Sequence, residues 1–457
     1  MTGMRGVSFL VLGLSLGLAG CAPMIRDAPV ATEAPPPVAW RTDLGVTAPV
    51  ESTWWEGFGN TRLSALVAKA RASNPDILIA AARIEEARAT ERASRAFLLP
   101  TFGAGVEGGE RREVSPFGQP LDLIAVQPSF QAAYEIDLFG KNASRVAAAQ
   151  AAVAAASASA EAASLSVAAA TATGYITLLA LDARMSVLER TVEARRQALK
   201  FARDRAEVGY TSQLELRQAE AEYEATIQLV PQLKTQIARQ ENALSALVGD
   251  APGAIARGGA LTDITLPPPP DVLPSELLRR RPDIAAAEYR VAAADAQMRV
   301  ARAQFLPSIN LGVSAGVAIS DLLADPIAVW SLGGSILAPI FQGGRLSAQL
   351  DAATAQRDQA AWAYRAALLN ALRETEDRMV TLANLSAQER SLEAQRTAVS
   401  DALRHAINRY RAGYTPYIEQ IDAQRALLGV ELSLVQTRAD ELTTMVGLYQ
   451  AVGGAPR

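Results

Sequence analysis

Few residues in this 457-residue chain are placed to make or break covalent bonds. Gly312-Val313-Ser314-Ala315-Gly316 spells G-x-S-x-G, the spacing that presents a serine nucleophile on a sharp strand-to-helix turn, and His405 follows downstream in hydrolase order. That chemistry requires the strand to end at the serine. Here apolar and small residues alternate straight through the motif, so the match is read as accidental. His405, the sole histidine, lies near Asp401, Arg404 and Arg409, a solvated helical face. No Cys/His constellation offers a metal site, and no G-x-x-x-x-G-K-[ST] loop offers a phosphate cradle. The chain is therefore expected to be no enzyme, to hold no metal or cofactor, and to draw any energy from a partner.

The only cysteine has a different chemistry available. Residues 1–20 carry one arginine, an apolar run from Val7 to Leu18 and then small residues, the pattern of a secretory signal too short to span a bilayer as a helix. Leu18-Ala19-Gly20-Cys21 resembles the bacterial lipobox, after which Cys21 becomes the lipidated first residue. A lone exported cysteine cannot form an internal disulfide, and several acyl chains hold a protein to a membrane where one binds marginally. Ala22, a non-acidic residue after the cysteine, goes with outer-membrane sorting in lipoproteins of this type. Residues 21–60, with Pro35-Pro36-Pro37, read as lipid anchor and extended tether. The formal charge of −4 and the 20% charged residues give no basic surface for nucleic acid.

The elements that position everything else are written twice. "GYTSQLE" at 209–215 returns as "GYTPYIE" at 413–419. Asn74-Pro75-Asp76-Ile77 corresponds to Arg281-Pro282-Asp283-Ile284, and Leu99-Pro100 to Leu306-Pro307, at one constant spacing; Arg83, Arg92 and Arg95 match Arg290, Arg299 and Arg302. The first copy is taken as 61–273 and the second as 274–449, with a tail at 450–457. Each copy predicts a helix, a proline stop, a small-residue region, a very long helix, a Gly-Tyr-Thr turn and a returning helix.

Alanine density and the absence of proline from Ser129 to Val230 and from Ile340 to Thr415 predict the long helices at 140–208 and 342–412. At about 1.5 Å per residue the first would reach roughly 100 Å, which predicts an elongated molecule. Small side chains at the seams let helices approach closely. Gly209 and Gly413 are expected to end the long helices, Thr211 and Thr415 to cap the returning helices at 212–248 and 416–448, and residues 249–273 to link the copies.

Between the helices the apolar period changes to two. In "SINLGVSAGVAIS" (308–320) every odd position is apolar and the even ones are small or polar, which predicts a strand; 129–138 repeats the pattern, with weaker partners at 101–111 and 328–339. Four strands could form a soluble sandwich. In an exported, lipid-anchored chain, strands of about 10 residues also suit a membrane barrel. Edges cannot stay open in lipid and four strands cannot close alone, so a barrel demands oligomerisation.

Trp54-Trp55 with Phe58, "RRRPDIAAAE" (279–288), "FLPSI" (305–309), "PIFQGGRL" (339–346) and "YRAGYTPYIEQIDAQRAL" (410–427) together resemble the TolC-like outer-membrane channels of tripartite efflux systems, the lipidated NodT/OprM-type branch. The resemblance implies a mainly α fold with a membrane β-barrel part, long α-helical hairpins plus four strands per chain. It implies a homotrimer whose strands close one 12-stranded barrel in outer-membrane lipid and whose helices form a 12-helix tunnel through the periplasm. A periplasmic adaptor and an inner-membrane pump of the RND type are the implied partners, and nucleic acid is not one.

The copies differ at their tips. Ile418 and Asp422 lie four apart on one helical face, where the first copy has Leu214 and Gln218. By resemblance Ile418, Asp422 and Arg425 match the periplasmic gate, with Arg425 holding neighbouring helices closed. The tips Gly209-Tyr210-Thr211 and Gly413-Tyr414-Thr415 are the expected adaptor-docking positions, since a residue without a side chain admits another backbone. A periplasmic coiled-coil lipoprotein acting as adaptor or spacer, its strands in a soluble domain, is the competing reading.

Overall fold

The computed structural model describes residues 36–454. Cys21 and the signal segment lie outside the described residues. Two compact units emerge, one of 82–157 and 286–366, the other of 36–81, 158–285 and 367–454, so each draws on both sequence copies.

The first unit is built on a four-stranded antiparallel sheet in the order β1-β2-β3-β4, formed by β1 (Thr101–Val114), β2 (Pro120–Ile136), β3 (Ser308–Ser320) and β4 (Ile327–Leu337). The alternation read from sequence found β3 to the residue. It missed the first half of β2, which begins at Pro120 and not at 129, because Pro128 broke the pattern. A proline has no N–H for the ladder, and the pairing of β2 with β3 indeed passes from Val126↔Ile319 to Ser129↔Gly316 without Gln127 and Pro128. Ser314, the serine of the G-x-S-x-G match, sits in the middle of β3, hydrogen-bonded across to the Ser331 hydroxyl at 2.8 Å. Strand continues on both sides of it, so the nucleophile turn is absent.

One face of this sheet carries large apolar side chains left open. Phe102, Phe130, Trp330, Leu332 and Ile336 are each more than 70% exposed. Among the described residues β1 and β4 are the edges of this sheet and pair with no further strand.

Helices dominate the rest: α1 (Thr61–Ser73), α2 (Pro75–Ala96), α3 (Lys141–Glu207), α4 (Gln213–Ile227), α5 (Leu229–Leu247), α6 (Pro282–Ala303), α7 (Arg345–Arg411) and α8 (Tyr417–Ala451). The long helices α3 and α7 match the expected ranges except that α7 begins at Arg345 and not at 342. Gly343 and Gly344 adopt φ of 58° and 82°, outside the helical region. The first returning segment, expected as one helix over 212–248, is two, divided at Gln228. Pro231 cannot bond to the Ile227 carbonyl, and the ladder breaks there. By length and composition α3 could cross a membrane, yet 61% of its most apolar window is buried against the fold, as alanines such as Ala158, Ala168 and Ala172 meet neighbouring helices.

In the second unit the core gathers Phe58, Leu63, Tyr175, Ile176, Leu179 and Leu244. The tether is ordered where described. Trp54 stacks on Tyr449 at 5.4 Å, the Trp40 indole N–H donates to the Val272 carbonyl at 2.7 Å, and Ala48 exchanges backbone bonds with Pro269 and Asp271. The tether and the inter-copy linker thus bind one another. Trp54, Trp55 and Phe58 are its buried anchors.

A close approach in the sheet makes a testable constraint. A Cβ on Gly316 would lie 2.3 Å from the Pro128 carbonyl oxygen and 2.9 Å from the Ser129 Cα. Gly316→Ala is expected to force β2 and β3 apart at a cost of about 1–3 kcal/mol, read as a lower midpoint in thermal unfolding followed by heat-modifiable gel mobility. Gly312→Ala, with open space at its Cβ, should leave that midpoint nearly unchanged.

Candidate functional site: the two helical tips

Both long helices end in the same way. Gly209 and Gly413 adopt φ of 78° and 82°, conformations that glycine reaches without strain. At the first tip the Gly209 and Tyr210 N–H groups donate to the Ala206 and Arg205 carbonyls; at the second the Gly413 and Tyr414 N–H groups donate to Tyr410 and Arg409. This paired pattern of 5→2 and 6→1 bonds is the Schellman stop. Tyr210 and Tyr414 project into solvent, and a Cβ on either glycine would meet nothing.

The threonines do not cap. Ser212 takes that role for α4, accepting from the Glu215 N–H, and Pro416 stands at the start of α8 with no side-chain cap. Thr211 instead donates its hydroxyl to Glu215, while Thr415 is buried with its hydroxyl oxygen unpartnered. The expected cap fell one residue short because the turn occupies Gly209 through Thr211, and Ser212, extended immediately before the helix, supplies the side-chain oxygen.

Between the tips lies a packed seam of Leu199, Ala202, Ala219, Tyr410, Tyr417 and Ile421. Tyr410 meets Phe201 edge-on at 5.9 Å and Tyr417 at 5.2 Å, and the Arg205 guanidinium lies over the Phe201 and Tyr410 rings. The Tyr410 hydroxyl donates to Glu215 at 3.3 Å, so Thr211, Glu215 and Tyr410 form one polar link across the two hairpins. Burial pushes the Tyr417 hydroxyl up to about 12 and keeps it a neutral donor, though it finds no acceptor.

The second link is ionic. Arg425 binds the Glu222 carboxylate through Nε at 3.1 Å and through Nη2, and it lies 3.7 Å from Asp422. Arg195 reaches the same carboxylate from α3 at 2.8 Å, and also donates to the Glu222 carbonyl and to Thr226. Glu222 is 8% exposed and Arg195 5%, whereas the Arg425 and Asp422 side chains are more than half open. Burial alone would lower the affinity of Arg195 for its proton, and the Glu222 charge opposes that. The hydrogen bond to Glu222 holds the Arg425 guanidinium protonated more firmly than usual. One buried carboxylate therefore joins three helices: α3 through Arg195, α4 through its own backbone and α8 through Arg425.

The structure brings Asp422 and Arg425 together and leaves Ile418 partly exposed one turn before Asp422. Sequence reading missed Glu222, Arg195, Tyr410 and Glu215's partnership with it. A signal existed in the comparison of copies. Where the second reads Arg425-Ala426, the first reads Ala221-Glu222, so charges of opposite sign occupy adjacent positions of equivalent helices.

The sequence profile described as outer membrane efflux protein matches residues 66–250 and 273–454. The chain belongs to that family. Among similar proteins, the toluene efflux pump outer membrane protein TtgC of Pseudomonas putida is 32% identical over 464 residues, covering 98% of this chain and 95% of TtgC. The outer membrane protein VceC of Vibrio cholerae superposes with a TM-score of 0.82 at 27% identity, over 89% of this chain and 99% of VceC. The open-state MtrE outer membrane channel of Neisseria gonorrhoeae gives 0.82 at 27% identity, over 95% of this chain and 98% of MtrE. The fold is TolC-like, and as a family member this chain is an efflux channel protein of the outer membrane.

The unequal burial at the ionic link sets an order of effects. Glu222→Ala leaves Arg195 buried without a countercharge, a loss of about 3–5 kcal/mol. Arg425→Ala removes a half-exposed arm while Arg195 still holds Glu222, which costs within about 1 kcal/mol. Hydrogen exchange of the α4 amides should rise far more in the first variant than in the second.

Proposed function

We propose that this efflux channel protein works as the exit duct of a tripartite system, a homotrimer passing small molecules outward from an inner-membrane pump of the RND type through a periplasmic adaptor. The observation that carries this reading is the sheet. Its face of exposed Phe102, Phe130, Trp330, Leu332 and Ile336 suits lipid, and its two free edges cannot remain unpaired there. Four strands per chain close no barrel; three chains close one of twelve. The periplasmic spacer reading would leave that apolar face against water, where patches of this kind are uncommon. Lipid on Cys21 would fix the chain to the outer membrane, and no other group is required.

In this reading Ile418, Asp422 and Arg425 form the periplasmic gate. Three Ile418 side chains would narrow the axis and three Asp422 carboxylates would attract cations. Arg425, bound to Glu222, would hold α8 against α4 until something competes for it. The exposed tips Gly209-Tyr210-Thr211 and Gly413-Tyr414-Thr415 would receive the adaptor's helical ends.

Single-channel recording in planar bilayers tests the gate. Asp422→Ala, Ile418→Ala and Arg425→Ala are each expected to conduct more than wild type; conductance at the wild-type level in all three would place the gate elsewhere. For the tips, Gly209→Trp and Gly413→Trp should abolish export in cells while heat-resistant trimers persist in the membrane. Undiminished export would remove docking from these positions.

A further inference from the structure

The second face of the sheet has a charge pattern that no part of the gate uses. Its rows, read across the register, are uncharged and mostly small over three successive levels: Thr101, Ala133, Gly312 and Gly333; then Gly103, Gln131, Ser314 and Ser331; then Gly105, Ser129, Gly316 and Val329. The carboxylates of this face flank those rows. Glu135, on one side, lies 2.5 Å from Lys141, which neutralises it. Asp137, just past the strand, accepts the Asn142 and Ala143 N–H groups at 2.9 and 2.7 Å and so serves as the cap of α3.

Glu107, paired in register with Gln127 on the other side, differs from both. It is exposed and among the described residues has no ion-pair partner. Eight residues of β2 separate its level from Glu135, about 27 Å at about 3.4 Å per residue. The nearest cation on its own face and strand, Arg111, is four residues on, or about 14 Å, and Glu113 follows it. Both distances exceed the Debye length of about 10 Å at 0.1 M salt. Glu110 and Arg112 belong to the opposite face of β1.

We propose that Glu107 sets the charge selectivity of the β-lined part of the duct, its three copies forming a carboxylate ring beyond a neutral sleeve. The assignment rests on the trimeric channel reading, in which the small-residue face lines the lumen. A ring of acidic side chains favours cations wherever the lumen is narrow enough for their field to reach the axis.

Reversal potentials across a KCl gradient, measured at about 0.1 M salt on the full-length trimer, test it. Wild type should prefer potassium over chloride, and the preference should shrink at about 1 M salt, where the Debye length falls to about 3 Å. Glu107→Gln should lower the permeability ratio by about twofold or more and Glu107→Lys should lower it further. Glu110→Gln, on the same strand but the lipid-side face, should leave it unchanged. An unaltered ratio in both Glu107 variants, or an equal fall in Glu110→Gln, overturns the assignment while the channel reading stands. Trimers of every variant and of wild type that carry no current would overturn the channel reading and the assignment with it.

Discussion

Backbone hydrogen bonds at the edges of the sheet are the constraint on which the rest of this protein depends. A strand edge facing water can be blunted or ignored, but in lipid each unsatisfied N–H or C=O costs several kcal/mol. β1 and β4 end the sheet with open ladders while the face between them is rich in Phe, Trp, Leu and Ile. In the trimeric channel proposed here, identical neighbours would satisfy both features, and whatever one chain presents to the axis would appear as a ring.

In such a trimer, small asymmetries between the two sequence copies would be repeated around the axis. Both hairpins stop their long helices with the same glycine geometry and the same pair of backbone bonds. They diverge in the side chains that follow, where Leu214 and Gln218 face Ile418 and Asp422, and Ala221-Glu222 faces Arg425-Ala426. The ionic link across the hairpins exists only because the copies are unequal. It is also uneven: one end, Arg195 with Glu222, is buried and hard to break, while Arg425 is half in solvent and easily exchanged. In the proposed gate this would be a fixed anchor joined to a releasable arm. Nearby, the buried Thr415 and Tyr417 hydroxyl oxygens and the Gln424 amide oxygen have no partner in this arrangement, which leaves the tip less than fully satisfied.

Much of this is legible in the sequence. Alternation in 308–320 marked β3 at both ends because one of its faces is small or polar and the other apolar without exception. Alanine density and the lack of proline marked α3 and α7 because helix propensity sums over long runs. Pro128 and Pro231 were harder. The first sits inside a strand at the one place where the neighbouring ladder skips a bond, and the second breaks a helix that the periodicity alone would have continued. The cap expected at Thr211 was misplaced by one residue because cap identity depends on φ and ψ at the turn, which sequence spacing locates only to within a residue or so, and the one expected at Thr415 gave way to Pro416, which has no capping side chain.

The amino-acid sequence by itself determined the duplication and the kind and approximate extent of most elements, since these follow from local periodicity; a partner at the sheet edges was required only on the membrane-barrel reading. Ile418 and Asp422 could be singled out as differences between the copies, and Arg425 by the family resemblance. Only the tertiary structure decided that Glu222 is the counterpart of Arg425 and that Arg195 buries it from behind. Those facts depend on side chains from segments far apart in the chain meeting at particular distances, and no local rule of spacing encodes a distance across a fold.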